Sequence, residues 1–341
     1  MPSLAFLLRR TRIPVQSQMM RRYLKSILGM AAPLLGLACT NSNSVPAAKT
    51  TSCDIFVAVL GTAQDAGKPQ ISVHSDPAWK DPAKARLASS LGLINRQDSK
   101  RYLFDASPDI RRQAYALDQL DDGRGFALDG VFLTHGHMGH YLGLAHLGKE
   151  AMSAKAVPVY AMPKMANFLR DNGPWNQLVT IKNIDIQTLS DGAPIRLSSE
   201  LTVTPFQVPH RSEYTETVGY RIEGPNSRAV YLPDIDSWTA WEAQGGSLEA
   251  LVTENDRLYL DASFFSGAEL PGRDMSLIPH PTISTTMEKL KHMPAKERAK
   301  IHFTHMNHTN PAHDKTSKAY AQVKANGFNV AQEGESFCLS E

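Results

Sequence analysis

Between residues 134 and 140 the chain reads Thr-His-Gly-His-Met-Gly-His, directly after the apolar run Val131-Phe132-Leu133. His135 and His137 stand two apart, so in extended chain they project to one side. His140 follows where a helix is expected to begin, and the three imidazoles can converge on one point. Neutral imidazole is a borderline-soft ligand that suits Zn, Mn or Fe better than Mg or Ca. More candidate ligands lie downstream in similar settings: His210 in Val-Pro-His-Arg, Asp234 in Pro-Asp-Ile-Asp, and His305 and His308 in Thr-His-Met-Asn-His-Thr. An apolar run followed by a ligand in the next loop, several times over, is how a binuclear site is assembled at one rim of a sheet. Metal held there lowers the pKa of water towards neutrality and polarises an electrophile. With His280, in Ile-Pro-His-Pro, seven of the twelve His residues fall at such places. His74, His146, His292, His302 and His313 are read as non-ligands. Asp105 is a candidate buttress of the metal loop, and Trp238 and Trp241 are read as either core or pocket wall.

The elements that must position these residues are short β-branched runs with helical segments between them. Strands are expected at 55–60, 102–105, 131–134, 157–160, 201–208, 218–223, 229–232, 258–261 and 300–304. Helices are expected at 108–117, 140–152, 163–172, 281–292 and 311–326, several of them opening at a proline, whose missing N–H costs nothing in a first turn. This is a mixed α/β pattern. No linker-like stretch divides it, so one domain is expected over 53–341, with pocket-shaping loops such as 67–80 and 172–178.

The 341 residues carry 36 basic and 34 acidic side chains. Six of the basic ones (Arg9, Arg10, Arg12, Arg21, Arg22 and Lys25) fall in residues 1–39, which hold no acid; without them 30 face 34, a charge of −4. A mildly acidic body argues against nucleic-acid coating. From Met20 a basic start, the uncharged run Ile27–Ala38 and small residues follow in the order of a secretory signal peptide, with residues 1–19 an over-extended start. Twelve apolar residues are too few to span a bilayer. Leu-Gly-Leu-Ala-Cys, ending at Cys39, resembles a lipoprotein processing site, and Arg21-Arg22-Tyr23-Leu24-Lys25 resembles a twin-arginine export signal. The expectation is an exported, periplasmic protein anchored to the membrane only through lipid at Cys39, with residues 40–52 as a tether. Cys53 and Cys338 are then available to pair.

The order His-x-His-x-x-His, His, Asp, His resembles the metallo-β-lactamase superfamily, which implies an αββα sandwich with metals at the strand-end rim. Several phrases resemble its pyrroloquinoline-quinone biosynthesis protein B branch: Leu60-Gly61-Thr62-Ala63-Gln64-Asp65, Asp105-Ala106-Ser107-Pro108-Asp109-Ile110-Arg111, Val208-Pro209-His210-Arg211, Pro233-Asp234-Ile235-Asp236 and Asn307-His308-Thr309-Asn310-Pro311. The resemblance implies that His135, His137 and His210 bind a first metal, that Asp234 bridges, and that His140 and His305 bind a second. One position departs from the superfamily pattern: an Asp usually precedes the third His, and here Gly139 stands in its place. The second metal is then short of a donor unless His308 or Asp236 supplies one, and the expectation is one firm site and a second that is weaker or rebuilt around His308. Leu260–Phe265 with Ile278–Thr282 resembles the ribonuclease Z and cyclic-phosphodiesterase branches, which implies that Asp261 orients His280 as a general acid.

The expectation is a hydrolase using one or two Zn ions, with Mn or Fe as alternatives, in which hydroxide attacks a small phosphodiester, ester or lactone, Asp234 orients the water and His280 protonates the leaving group. The alternative is an iron-dependent oxidative step of quinone-cofactor biosynthesis. Against it stand the signal peptide and the His-x-His-x-x-His loop, which departs from that branch's usual metal loop. A third reading is a non-catalytic metal-binding lipoprotein. β-Lactamase activity is disfavoured by Gly139. Oligomeric state is not legible.

Overall fold

A computed structural model of the chain describes residues 53–341 apart from Arg124. The expected signal segment, Cys39 and the tether lie outside the described residues. Among the described residues fourteen strands occur: β1 (Ile55–Gly61), β2 (Ser90–Asn95), β3 (Lys100–Phe104), β4 (Gly130–Phe132), β5 (Val157–Ala161), β6 (Ile184–Thr188), β7 (Ile195–Arg196), β8 (Thr202–Gln207), β9 (Val218–Glu223), β10 (Arg228–Leu232), β11 (Arg257–Asp261), β12 (Ile301–Thr304), β13 (Asn329–Val330) and β14 (Ser336–Cys338). They form two seven-stranded sheets, ordered β14-β1-β2-β3-β4-β5-β6 and β13-β12-β11-β10-β9-β8-β7.

Alternation along the strands explains how the sheets stack. In β1, Ile55, Val57 and Val59 join Phe104, Phe132, Val203, Tyr220 and Tyr231 in an apolar layer made from strands of both sheets. The intervening Phe56, Ala58 and Leu60 join Ile110, Leu117, Met165 and Leu169, which lie on helices Ile110–Leu120 and Pro163–Asp171. A third layer packs Val230, Leu258, Leu260 and Phe303 with Trp238, Leu251, Ile283 and Met287. Helix, sheet, sheet, helix is the expected αββα order. β3, β4 and β5 run parallel, as do β10, β11 and β12, so their carboxyl ends gather ligand-bearing loops at one rim.

Several elements differ from the sequence expectation. The helix expected at 140–152 is one turn, Met138–Tyr141, followed by a 3-10 segment, Leu142–Leu147. The Gly143 N–H donates to the Ala106 carbonyl at 2.8 Å instead of continuing a helix. The helix expected at 311–326 divides into a 3-10 turn, Pro311–His313, and a helix, Lys318–Ala325, which starts where the Ser317 hydroxyl accepts from Tyr320 N–H. Cys53 and Cys338 form a disulfide.

Candidate metal centre

The strand that runs into the triple-His loop ends at Phe132, and Asp105, just past β3, holds the chain that follows. Its Oδ1 accepts from both the backbone N–H and the hydroxyl of Thr134, at 2.8 and 2.9 Å, and its Oδ2 lies 2.7 Å from His140 Nδ1. Asp105 is fully buried and has a positive φ of 65°. Such backbone is tolerated where surrounding bonds determine it. The expected buttress is therefore present.

The other imidazoles are steered in the same way. His135 Nδ1 meets the Thr134 hydroxyl at 3.0 Å, His210 Nδ1 meets Asp236 Oδ1 at 2.8 Å, and His305 Nδ1 meets the Ser263 hydroxyl at 3.2 Å. A partner on one ring nitrogen fixes the tautomer and leaves the other nitrogen to bind. His137 is turned the opposite way: its Nε2 faces Glu213 at 3.4 Å and its Nδ1 lies 3.2 Å from His210 Nε2.

The free nitrogens converge. Asp234 Oδ2 is 3.1 Å from His140 Nε2, 3.2 Å from His305 Nε2 and 4.0 Å from His135 Nε2, and Asp234 Oδ1 is 3.8 Å from His210 Nε2. Two donors sharing a tetrahedral zinc with bonds of about 2.0–2.1 Å stand about 3.3 Å apart. His135, His137 and His210 make one group of donors on this scale, and His135, His140 and Asp234 another. Nε2 of His135, His140 and His305 and Oδ2 of Asp234 are buried without a hydrogen-bond partner. Orphaned buried polar atoms aimed at one another from imidazoles and a carboxylate are the chemistry of a cation site, and the residues fit a divalent metal.

For three of the rings the electrostatics agree. Burial pushes the pKa of His135 well below its ordinary value, and lowers those of His137 and His305 too, keeping these rings neutral as ligands must be. Burial also opposes protonation of His140, but Asp105 and Asp234 outweigh it and hold its pKa well above the usual range. Burial alone would raise the pKa of Asp234; His305, His140 and His135 overcome this and hold it well below the carboxylate range.

Asp261, at the end of β11, is completely buried and accepts from Ser263 N–H and hydroxyl, from Ile235 N–H, and at 2.7 Å from His280 Nδ1. Burial opposes the charge on His280, yet Asp261 pushes its pKa up to about 9. Beside His280 lies a cleft lined by Phe264, Arg273, Ile278, Thr282 and Thr285, from a segment outside the two loops expected to shape the pocket. Trp238 and Trp241 are core: both are buried, and their indole N–H groups donate to Thr286 Oγ1 and the Gln207 carbonyl.

Of the expected ligands, His135, His137, His140, His210, Asp234 and His305 come together, and His308 does not. It joins none of the donor groups, and its carbonyl accepts from Lys68 Nζ at 2.6 Å. Asp236 is committed to His210 and to the Arg211 N–H. Neither expected donor therefore joins the second set. The residue that approaches it is Asp65, whose Oδ1 is 3.6 Å from His140 Nε2. Asp65 falls within a phrase that carries the family resemblance, but it has no place in the His order from which the ligands are read.

A family model described as a β-lactamase superfamily domain matches residues 100–306, more than half of the chain. The chain belongs to the metallo-β-lactamase superfamily. Among its curated relatives is a coenzyme PQQ synthesis protein B of Xanthomonas oryzae pv. oryzae, 25% identical over 317 residues that cover 83% of this chain and 99% of the relative. Among solved structures, Zn²⁺-bound PqqB from Methylobacterium extorquens superposes with a TM-score of 0.67 at 25% identity, covering 83% of this chain and 99% of the other. A diphosphatase from the PhnP family gives 0.56 at 25% identity, covering 83% and 96%.

Proposed function

We propose that this member of the superfamily is a PqqB-like metal-dependent enzyme built on a two-ion centre, with zinc the first candidate ion. One observation carries the reading: the buried nitrogens of His135, His140 and His305 and the buried oxygen of Asp234 face one another without partners. Leaving such atoms unpaired costs about 1–3 kcal/mol each, which a bound cation removes. The zinc in the similar PqqB structure supports the choice of ion.

In this reading His135, His137 and His210 would hold one ion and His140 and His305 the other, with the carboxylate of Asp234 facing both groups. Bound ions supply a water of low pKa and polarise the electrophile. Asp234 would orient water at the site. His280, kept protonated at neutral pH by Asp261, delivers a proton to the leaving oxygen. These roles suit hydrolysis of a small phosphodiester, ester or lactone.

The second reading is the oxidative one, a step in making the coenzyme named for the relatives, with iron as the working ion. The likeness over 99% of such a relative's length favours it and is stronger support than the comparisons lend to hydrolysis. The Asp261–His280 pair is what supports hydrolysis. Metal analysis of protein purified without a His-tag separates the two, paired with hydrolysis of bis(p-nitrophenyl) phosphate and with oxygen consumption for wild type and His137→Ala. Zinc or manganese with hydrolysis lost in the variant supports the hydrolase. Iron with oxygen uptake and no hydrolysis moves the function to the oxidative reading. Metal without turnover of either kind leaves a binding protein, and absence of metal overturns all three.

We propose further that the protein is exported to the periplasm and held at the membrane only by lipid on Cys39, and that its partner is a small molecule rather than a nucleic acid. The order of residues 20–39 and the Cys53–Cys338 disulfide support export, because disulfides persist in oxidising compartments, and the mildly acidic body supports the choice of partner.

A further inference from the structure

Gly139 and Asp65 occupy one place between them. A Cβ built on Gly139 would lie 2.4 Å from both Cα and Oδ1 of Asp65, so no side chain can stand at 139 while the 62–67 loop keeps its position. The carboxylate of Asp65 fills the space that a side chain at 139 would enter. We infer that Asp65 is the carboxylate ligand of the second ion, supplied from the loop after β1 in place of one at position 139. This rests on the two-ion reading above.

Three independent features support it. First, Asp65, His140 and His305 form a group of converging donor atoms. The 3.6 Å from Asp65 Oδ1 to His140 Nε2 is too long for a hydrogen bond and close to the separation of about 3.3 Å between donors that share a zinc. Second, Oδ1 is buried and has no hydrogen-bond partner, although the side chain as a whole is 32% exposed. Third, the loop is built to hold Asp65 there. Met306 N–H donates to the Thr62 carbonyl and Gln64 N–H to the Met306 carbonyl, both at 2.9 Å, and Asn307 Nδ2 donates to Gln64 Oε1 at 3.0 Å. These bonds fasten the Asp65 loop to the chain immediately after His305, so the two ligands are positioned as a unit. Asp65 itself has a φ of 31°, in the left-handed region that non-glycine residues seldom occupy, and Gly67 closes the turn at φ 73° with its N–H on the Gln64 carbonyl.

The test is the metal content of the full chain after dialysis against zinc and removal of loosely bound ions. The expected result is two ions per wild-type chain, one for Asp65→Ala, two for His308→Ala, and a weakened second ion for the isosteric Asp65→Asn. Gly139→Ala, which replaces no ligand but displaces Asp65, should also lose the second ion. Cobalt substitution provides a readout independent of turnover: Asp65→Ala should keep the absorption of one ion and lose that of the other. Two ions bound with unchanged affinity in Asp65→Ala overturn the assignment. So does a wild type that holds one ion and an Asp65→Ala that holds the same one, although the metal site itself would stand. A wild type that binds no metal overturns both the assignment and the reading beneath it.

Discussion

His280 and Asp105 show what a second partner does for an imidazole. Asp261 is fixed by three donors besides His280, so the ring cannot turn away and its proton is held up to a pKa of about 9. If His280 is the acid, activity is supported while the ring is protonated and falls as pH rises through about 9, because the required form is lost above that value. His280→Gln should abolish that limb. It should also reduce turnover by about 10²–10⁴-fold on substrates with poor leaving groups, and far less on activated p-nitrophenyl esters. Equal loss on both classes would refute the assignment. Asp105 acts through His140 and Thr134, so Asp105→Asn should weaken metal binding by about 10–100-fold, read by competition with a chromophoric chelator, with the ligands themselves intact. At this scale the convergence of six of the seven expected ligands was legible, because each follows an apolar run and stands in a known order. The approach of Asp65 to them was not, because it depends on a contact with Gly139 across 74 positions of sequence, which no local spacing reports. His308 misled for the complementary reason: being three residues from His305 says nothing about where the loop turns.

The triple-His loop is stitched to the loop after β3, and one glycine sets their separation. A Cβ on Gly143 would lie 2.2 Å from the Ser107 carbonyl oxygen and 2.8 Å from that of Ala106. Backbone cannot yield as a side-chain tip can, so Gly143→Ala should destabilise the metal-free protein by about 1–3 kcal/mol in urea unfolding and loosen the Asp105–His140 contact. Unchanged stability would show that the two loops move apart freely. The same packing explains why a helix over 140–152 was expected and not found: the apolar spacing was helical, but the close approach at Gly143 captures its N–H for Ala106. Nine strands were legible as β-branched runs. Ser90–Asn95 was missed because Gly92 breaks the run, and the structure shows its use: a Cβ there would be 2.6 Å from a Leu117 methyl, so the gap admits the helix onto the sheet. Ile195–Arg196 and Asn329–Val330 are two-residue strands that exist only through pairing with Val203–Thr202 and His302–Phe303, and no pattern that short separates from loop.

The two ends of the described chain meet. β1 pairs with β14 in antiparallel register, Phe56 opposite Cys338, and Leu339 N–H donates to the Ile55 carbonyl at 2.8 Å. The Cys53–Cys338 disulfide closes a separation of 285 residues on top of that pairing. A cross-link over so long a loop stabilises chiefly by restricting the unfolded chain, by about 2–4 kcal/mol. Because β1 and β14 also pair through their own backbone, Cys53→Ser/Cys338→Ser should fold and bind metal as the wild type does, with its urea midpoint lowered accordingly. The redox state of this cysteine pair also offers a test of the export reading. If residues 1–39 direct export, the full chain expressed in a bacterium should be found in the membrane fraction with Cys53 and Cys338 oxidised, as seen by thiol labelling before and after reduction. Cys39→Ala should release it into the soluble periplasmic fraction with the disulfide still formed, since the anchor and the oxidising compartment are separate requirements. A chain that keeps residues 1–39, remains in the cytoplasm and labels at both cysteines would contradict export. It would also remove the objection from compartment to the oxidative reading, and the choice between the two chemistries would then turn on the metal alone.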